Sequence, residues 1–159
     1  MSYVNESLTA GEEVLYRTGL HWAALGAPVV FGGLFGMIGL ILIIGSIADK
    51  TDSGMGVFGF LFLVFAALIF VLGYLSWKAT EMAVTSKRVI IKRGLLRRRT
   101  LELLHPKIES IGVEEGLIGR MFGYGTVIVR GTGGTPEPFK LVKQPLEFRK
   151  QVQQQTEKH

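Results

Sequence analysis

The sequence predicts an α+β membrane protein, in which a transmembrane helical hairpin precedes a partly open antiparallel β-barrel or sandwich capped by a C-terminal helix. Three observations predict it. Two long segments near the N-terminus contain no Asp, Glu, Lys, Arg or His. The residues after them form short runs of alternating apolar and polar side chains, and the last of these runs is followed by a polar segment with helical spacing. A chain of 159 residues accommodates one modest domain and an anchor, but not two sizeable cores.

The two apolar segments are each long enough to cross a bilayer as an α-helix. A hydrocarbon core of roughly 30 Å needs about 20 helical residues, and the segments 23–48 and 55–77 meet that length. Buried helices of soluble proteins rarely run this long without a charge. The first segment follows an acidic stretch and exceeds a signal-peptide core in length, so we expect a retained anchor. Residues 49–54 are then a short external loop.

The placement of Lys and Arg predicts the orientation of the hairpin. The loop offers only Lys50, whereas residues 78–159 contain 16 Lys and Arg against 8 Asp and Glu, a net charge of +8. Because positive side chains near span ends stay on the cytoplasmic side, we expect a multi-pass protein of the cell membrane with both termini cytoplasmic. Trp22 and Trp77 begin one span and end the other, and they are the predicted anchors at a common membrane interface.

Small residues recur at helical spacing along both spans. They are Gly32, Gly36 and Gly39 in the first span and Gly59, Ala66 and Gly73 in the second. Small side chains let helices approach closely in lipid. Two interpretations stay open, namely packing of the hairpin against itself and homo-oligomerisation. Ion or proton pathways are usually marked by an ionisable residue within a span, so the absence of Asp, Glu, Lys, Arg and His from both spans disfavours transport.

The residues from 80 onward predict an antiparallel β-domain and one helix. The predicted strands are 80–85, 89–92, 98–104, 108–114, 126–130 and 139–142, and the predicted helix is 145–155. Leu146, Arg149 and Val152 share one face of that helix, with Phe148 beside it. The glycine-rich segment 116–125 predicts a compact turn or a single helical turn. Residues 13–20 also alternate, which permits one further strand from the N-terminal side.

Two glycine-rich segments invite comparison with phosphate-binding loops. Residues 131–134 lie between two predicted strands and lack the Lys and Ser/Thr that follow the glycines of a P-loop. A hairpin turn accounts for them, and a tight chain reversal accounts for 116–125.

Three segments carry a resemblance to a known family. They are TSKRVIIKRG at 85–94, KIESI at 107–111 and GRMFGYGTV at 119–127, which follow the two spans and an N-terminal GEEVL segment that leads to His21 and Trp22. In this order the chain resembles the bacterial pleckstrin-homology (PH)-like membrane proteins over nearly its whole length. The resemblance implies a PH-like domain at 78–155, a bent antiparallel sheet of about seven strands closed at one end by the C-terminal helix. Residues 1–22 are then a cytoplasmic segment and 156–159 a tail. The resemblance implies little about activity, since fold does not fix function.

Basic residues cluster where the chain is expected to return to the membrane. They are Lys78, Arg93, Arg97, Arg98 and Arg99. The first predicted strand leads away from the bilayer and the second returns, so this cluster would meet anionic headgroups, with about 1 kcal/mol per contact. The other interpretation is that the cluster only fixes topology and solubilises the domain. Lys87 and Arg88 occupy a place comparable to that of the phosphoinositide ligands in eukaryotic PH domains. The chain that leads from Trp77 to this turn, at ~3.3 Å per extended residue, sets them roughly 25–30 Å from the bilayer.

The sequence indicates neither an enzyme nor a metal or cofactor site. Cysteine is absent, and no combination of a nucleophile with a base is evident. Glu114 and Glu115 are adjacent, so on a strand their side chains point to opposite faces. Nucleic acid is disfavoured as a partner, because strand alternation interrupts the basic residues and no aromatic platform accompanies them.

We therefore expect a non-enzymatic, membrane-anchored binding or scaffold module. Its basic surface would face anionic lipid headgroups or a protein partner, in a homo-oligomer or a larger membrane assembly. The alternative is an auxiliary or regulatory subunit of a membrane channel, a transporter or a stress-response complex. A purely structural scaffold that organises other membrane proteins is a third interpretation.

Overall fold

The chain folds into two compact units. The computed structural model describes residues 3–48, 53–94 and 99–158. The helical unit comprises Ala24–Trp77, and the β-rich unit combines Met1–Ala23 with Lys78–His159. The N-terminal segment therefore folds together with the C-terminal half of the chain.

The helical unit consists of two long apolar helices. A 3₁₀ turn at Trp22–Leu25 leads into α2 (Gly26–Ala48), and α3 spans Ser53–Lys78. Among the described residues of this unit only four are buried, and all are small: Gly32, Gly39, Gly59 and Ala66. Most of the large apolar side chains face outward. By length and composition, both helices are able to cross a membrane.

The described part of the β-rich unit contains seven strands in two antiparallel sheets. The strands are β1 (Val14–Gly19), β2 (Glu81–Thr85), β3 (Arg88–Arg93), β4 (Arg99–Leu104), β5 (Ile108–Glu114), β6 (Tyr124–Gly131) and β7 (Glu137–Lys143). The first sheet has the order β1-β2-β3-β4, and the second has the order β5-β6-β7. Three helices accompany them: α1 (Tyr3–Ser7), α4 (Leu117–Phe122) and α5 (Pro145–Thr156). The N-terminal alternation thus gives β1, and the glycine-rich segment gives the single helical turn α4.

The main core lies between the inner faces of the two sheets and α5. Its buried members are Met82, Val84, Val89, Ile91, Ile108, Val127, Val129, Phe139, Val142, Phe148 and Val152. The buried residues of α5 are Pro145, Phe148 and Val152, and the last two are four residues apart and so lie on one face. The expectation that Leu146 shares this face is wrong. It precedes Phe148 by two residues, about 200° around the helix at 3.6 residues per turn, and its side chain is exposed.

A second, smaller core covers the outer face of β2 and β3. Ala83 and Ile90 are buried there by Val4 of α1, with Tyr3 and Val14 beside them. Strand alternation predicts burial of every second residue of β2, but four successive residues of this strand are buried. The cause is the N-terminal segment, in which Val4 of α1 covers Ala83 and Glu12 contacts Thr85.

Glu12 links the N-terminal segment to the first sheet. Its carboxylate accepts hydrogen bonds from the hydroxyl of Thr85 at 2.7 Å and from Nε of Arg88 at 3.0 Å. Burial alone raises the pKa of Glu12. The hydrogen bonds from Thr9, Thr85 and Arg88 outweigh that effect and lower the pKa from 4.5 to about 2.

Candidate functional site

Both chain connections to the helical unit leave the β-rich unit from one end of the first sheet. β1 ends at Gly19, whose register partner is Glu81, the first residue of β2. Glu81 in turn pairs with Lys92, and the neighbouring pair in the next ladder is Arg93 with Arg99. We call this set of residues, 19–22, 78–81, 92–93 and 99, the connection end. Arg93 and Arg99 therefore lie at the end of the first sheet from which the chain continues into α2 and at which it returns from α3.

Strand β7 crosses the connection end from β4 to β1. At its start, a carboxylate oxygen of Glu137 lies 3.2 Å from a guanidinium nitrogen of Arg99. Near its end, the carbonyl oxygen of Leu141 accepts a hydrogen bond of 2.8 Å from the backbone N–H of His21. β7 thus brings a second set of side chains to the basic cluster.

A bulge in β7 makes the contact with His21. Gly125 pairs with Val142 and Val127 with Phe139, so β7 has one more residue than β6 in this interval. Leu141 lies in the bulge with φ of 59°, a left-handed conformation that is unusual for a side chain with a Cβ. The bulge directs the Leu141 carbonyl to the chain that leads into α2.

The strain at Leu141 gives a testable prediction. We expect Leu141→Gly to have a free energy of unfolding about 1 kcal/mol higher than Leu141→Ala, because only glycine adopts positive φ without cost. Both variants remove the same side-chain contacts apart from Cβ. Chemical denaturation of the full chain in detergent micelles measures the difference. At the adjacent Lys140 we expect the opposite order, with the alanine variant the more stable. A Leu141→Ala variant at least as stable as Leu141→Gly would contradict the prediction.

Two of the predicted headgroup ligands meet in one cleft. Arg93 and Arg99 line a space of about 360 Å³ between β3, β4 and the start of β7. Arg99 is 78% exposed even with its contact to Glu137, so part of its guanidinium still faces solvent. Lys78 is at the connection end, and Arg97 and Arg98 lie outside the described residues.

Two further lysines at this end were missed by the sequence analysis. Lys140 and Lys143 are exposed on β7, which crosses the connection end. They are far from the basic cluster in the sequence, and only the crossing of β7 brings their strand to the connection end. The available signal was the alternation of the last predicted strand, which puts Lys140 on the outer face.

Aromatic side chains contact His21 and Trp22, the residues through which the chain passes into α2. The ring of Trp22 meets the ring of Phe122 edge-on, with centroids 5.9 Å apart. His21 is buried and stacks on Tyr124 at 5.0 Å. Burial and the nearby charge of Lys143 lower the pKa of His21, so its imidazole is neutral near pH 7. Trp77, the other predicted interface anchor, lies 5.8 Å from the ring of Tyr74.

The basic residues of the first hairpin make internal contacts at the opposite end of the first sheet. Arg88 donates to Glu12 and to Glu102, the latter at 2.8 Å. The ammonium group of Lys87 donates to the carbonyl of Ala10 at 3.1 Å. These contacts attach the N-terminal segment to the first sheet. Because the guanidinium of Arg88 is used in them, we do not assign it to ligand binding. Among the residues that the structure describes, no group of three or more His, Cys, Asp or Glu could hold a metal ion.

The six predicted small residues all lie between α2 and α3. A Cβ atom added to Gly59 would lie 2.8 Å from the carbonyl oxygen of Gly39, and one added to Gly36 would lie 3.8 Å from Cβ of Ala66. Gly32 approaches the backbone of Ala66, and a Cβ on Gly73 would collide with the ring of Pro28. The stripes therefore pack the hairpin against itself. Homo-oligomerisation through them stays a prediction.

Comparison with known proteins identifies the family. A family model described as bacterial PH domain matches residues 30–156. No curated protein and no solved structure matched the chain. The family match covers most of the chain, and the two antiparallel sheets with a C-terminal helix are consistent with it. The protein belongs to the bacterial PH domain family.

Proposed function

We propose that the protein is a membrane-anchored, non-enzymatic binding module, whose basic connection end contacts anionic lipid headgroups. The observation that carries the proposal is the outward-facing apolar surface of α2 and α3. The core helix of a soluble protein is mostly buried, but here small residues fill the contact between the helices, and large side chains such as Val30 and Ile44 are exposed. An apolar surface of this extent fits a bilayer and not water. PH-like domains are generally binding modules, and membership of this family supports the proposal that the protein is not an enzyme.

The charge distribution supports an orientation with both termini in the cytoplasm. Residues 78–159 carry a net charge of +8, whereas the loop between the helices contains Lys50 as its one Lys or Arg. Positive residues beside spans stay on the cytoplasmic side. In this orientation the β-rich unit is cytoplasmic and the protein is a multi-pass component of the cell membrane.

Lipid headgroups are the ligand best suited to the connection end. Because both connections to α2 and α3 leave from this end, it is the part of the β-rich unit that chain continuity holds nearest to the bilayer. Positive charges there include those of Lys78, Arg93, Arg99, Lys140 and Lys143. Each contributes about 1 kcal/mol near an anionic surface, and Glu137 offsets part of the contribution of Arg99.

Loss of the two described arginines tests the headgroup proposal. We expect Arg93→Gln/Arg99→Gln to weaken binding of phosphatidylglycerol by about thirtyfold, from two contacts of about 1 kcal/mol each. The full chain is held in neutral detergent and titrated with the lipid. Because the sequence contains no cysteine, a fluorophore on Thr135→Cys, at the rim of the cleft, is a unique reporter.

A matched control removes two positive charges away from the connection end. Lys107 follows the far end of β4 and Lys158 follows the end of α5, which packs on the 3₁₀ turn containing Lys107, and both side chains are exposed. Lys107→Gln/Lys158→Gln should leave lipid binding within about twofold of the parent chain, since exposed charges beyond one Debye length are largely screened. If both double variants lose the same affinity, the effect is one of net charge and the connection end is not the site. Equal binding by the Arg93/Arg99 variant and the parent would also contradict the proposal.

A second candidate function is membership of a larger membrane assembly, as a homo-oligomer or as a regulatory subunit of a channel, a transporter or a stress-response complex. The observation that favours it is an apolar groove of about 520 Å³ on α2 and α3, lined by aromatic rings that include Phe35, Phe62 and Phe65. Grooves of this kind accept a helix of another membrane protein. Affinity purification from native membranes tests it, and a partner whose recovery falls with Phe62→Ala would support it. Recovery of the chain alone would leave the lipid-binding role.

A further inference from the structure

An apolar helix is exposed on the β-rich unit beside Trp22. In α4, the side chains of Leu117, Ile118, Met121 and Phe122 are 88%, 63%, 82% and 53% exposed. Elsewhere in the described part of this unit, the other exposed large aliphatic side chains lie singly: Leu15, Leu104 and Leu146. Single exposed apolar residues are ordinary, whereas a contiguous group marks a contact surface.

The backbone of α4 is fixed, so these side chains are held outward. Gly123 ends the helix in the left-handed conformation with φ of 74°, and its N–H bonds the carbonyl of Gly119. The carbonyl of Gly123 accepts a hydrogen bond from Gln144 at 3.0 Å. A Cβ on Gly119 would collide with the backbone of Tyr124, which shows how closely α4 packs on the start of β6. The helix cannot turn inward to cover its apolar residues.

The position of α4 indicates what covers it. Phe122 contacts the ring of Trp22, with centroids 5.9 Å apart. Trp22 is the first residue of the candidate span Trp22–Ala48, and an indole at that place lies at the level of the headgroups. Surface helices bury their apolar face about 5–10 Å into the boundary between headgroups and acyl chains, the region in which an interfacial indole also lies. Arg120, exposed on the same helix, suits a headgroup phosphate.

We propose that α4 inserts its apolar side chains into the bilayer surface beside Trp22. This insertion adds a lipid contact that does not span the membrane, and it fixes the orientation of the β-rich unit on the bilayer. The inference rests on the proposed membrane anchoring by α2 and α3. Its occupant is bilayer lipid, and a second copy of the chain or another protein is an outcome of the test.

Depth measurements on the full chain in lipid nanodiscs test the insertion. A nitroxide is attached to one introduced cysteine at a time: Met121→Cys in α4, Leu104→Cys at the far end of β4, and Leu68→Cys in α3. Oxygen concentrates in lipid and a nickel chelate stays in water, so the ratio of their effects on the label reports depth. We expect this ratio at Met121→Cys to exceed that at Leu104→Cys several-fold, with Leu68→Cys also in lipid. The double substitution Leu117→Ser/Ile118→Ser should lower the ratio at Met121→Cys several-fold. Both replaced side chains are exposed, so the double variant should fold as the parent chain does.

The outcomes separate this inference from the proposed function. If Leu68→Cys is in lipid but Met121→Cys resembles Leu104→Cys, α4 stays in water and the inference fails while the anchoring stands. If Leu68→Cys is open to the nickel chelate, the anchoring itself fails. A Met121→Cys label shielded from both reagents would mean that protein covers α4, which overturns lipid as the occupant. An unchanged ratio in the double serine variant would overturn the role of the apolar side chains.

Discussion

Replacement of Glu12 with alanine is expected to lower the free energy of unfolding of the β-rich unit by about 3–5 kcal/mol, the range for breaking a buried ion pair. The carboxylate of Glu12 is fully buried and pairs with Arg88. Its loss leaves Nε and part of the terminal guanidinium of Arg88 without the charged acceptor that compensates their burial, and it removes the hydrogen bond from the Thr85 hydroxyl. Chemical denaturation of the full chain in detergent micelles measures the change. The matched control is Glu13→Ala, because Glu13 is adjacent and exposed; a loss as large in that variant would contradict the role of the buried pair.

The pH dependence of the free energy of unfolding should reveal the same buried pair of Glu12 with Arg88. The folded pKa of Glu12 is about 2, below its ordinary value of 4.5, so folding is favoured when this group is deprotonated. Its contribution is fully present above pH 4.5 and is lost as the pH falls toward 2. The difference between the two pKa values corresponds to about 3 kcal/mol. We expect Glu12→Ala to lack this part of the acid-induced loss of stability, while Glu13→Ala retains it.

Substitution at the contact of α2 with α3 should have the second large effect. An added Cβ at Gly59 would lie 2.8 Å from the carbonyl oxygen of Gly39 and 2.7 Å from a side-chain carbon of Ile43. Because one of these neighbours is backbone, the helices must separate, and we expect Gly59→Leu to destabilise the hairpin by about 2–3 kcal/mol. The control is Gly33→Leu, since no atom lies within 4 Å of a Cβ added at Gly33.

A disulfide reports on that packing directly. A Cβ at Gly36 would lie 3.8 Å from Cβ of Ala66, within the 3.5–4.5 Å range of disulfides. Gly36→Cys/Ala66→Cys should therefore form an intramolecular bond in the otherwise cysteine-free chain, and Gly59→Leu should lower its yield. The yield is measured by thiol labelling of the full chain in nanodiscs. A bond mainly between two chains would show that the small residues serve an oligomer and would contradict the packing seen in the structure.

Local patterns predicted the elements well, because their causes are local. Alternation of apolar residues places β5 at residues 108–114, the bounds that the structure has. The glycines around residues 116–125 indicated a chain reversal, and α4 is a single short helix there. The small residues of the spans were identified by spacing alone, and all six lie between the helices.

The contacts that build the candidate site depend on topology and were not predictable in this way. No local pattern indicates that Val4 covers Ala83, or that Glu12 withdraws Arg88 from solvent. The presence of Lys140 and Lys143 on a strand that crosses the connection end depends on how the two sheets pack. The exposure of α4 was also not predictable, since apolar residues such as Leu117 and Met121 are as compatible with a buried helix as with an exposed one.

The pairing of Gly19 with Glu81 has a consequence for how the protein is made. β1 is synthesised before both apolar helices and β2 after them, so adjacent strands of one sheet are separated by the whole hairpin. Pairing of β1 with β2 in the β-rich unit therefore waits until both apolar helices have left the ribosome, and long-range pairing of this kind is slow. If α2 and α3 cross the membrane as proposed, a nascent chain that inserted one of them alone would leave β1 and β2 on opposite sides. Such a chain could not complete the first sheet, so closure of the sheet would distinguish it from a chain with the whole hairpin inserted.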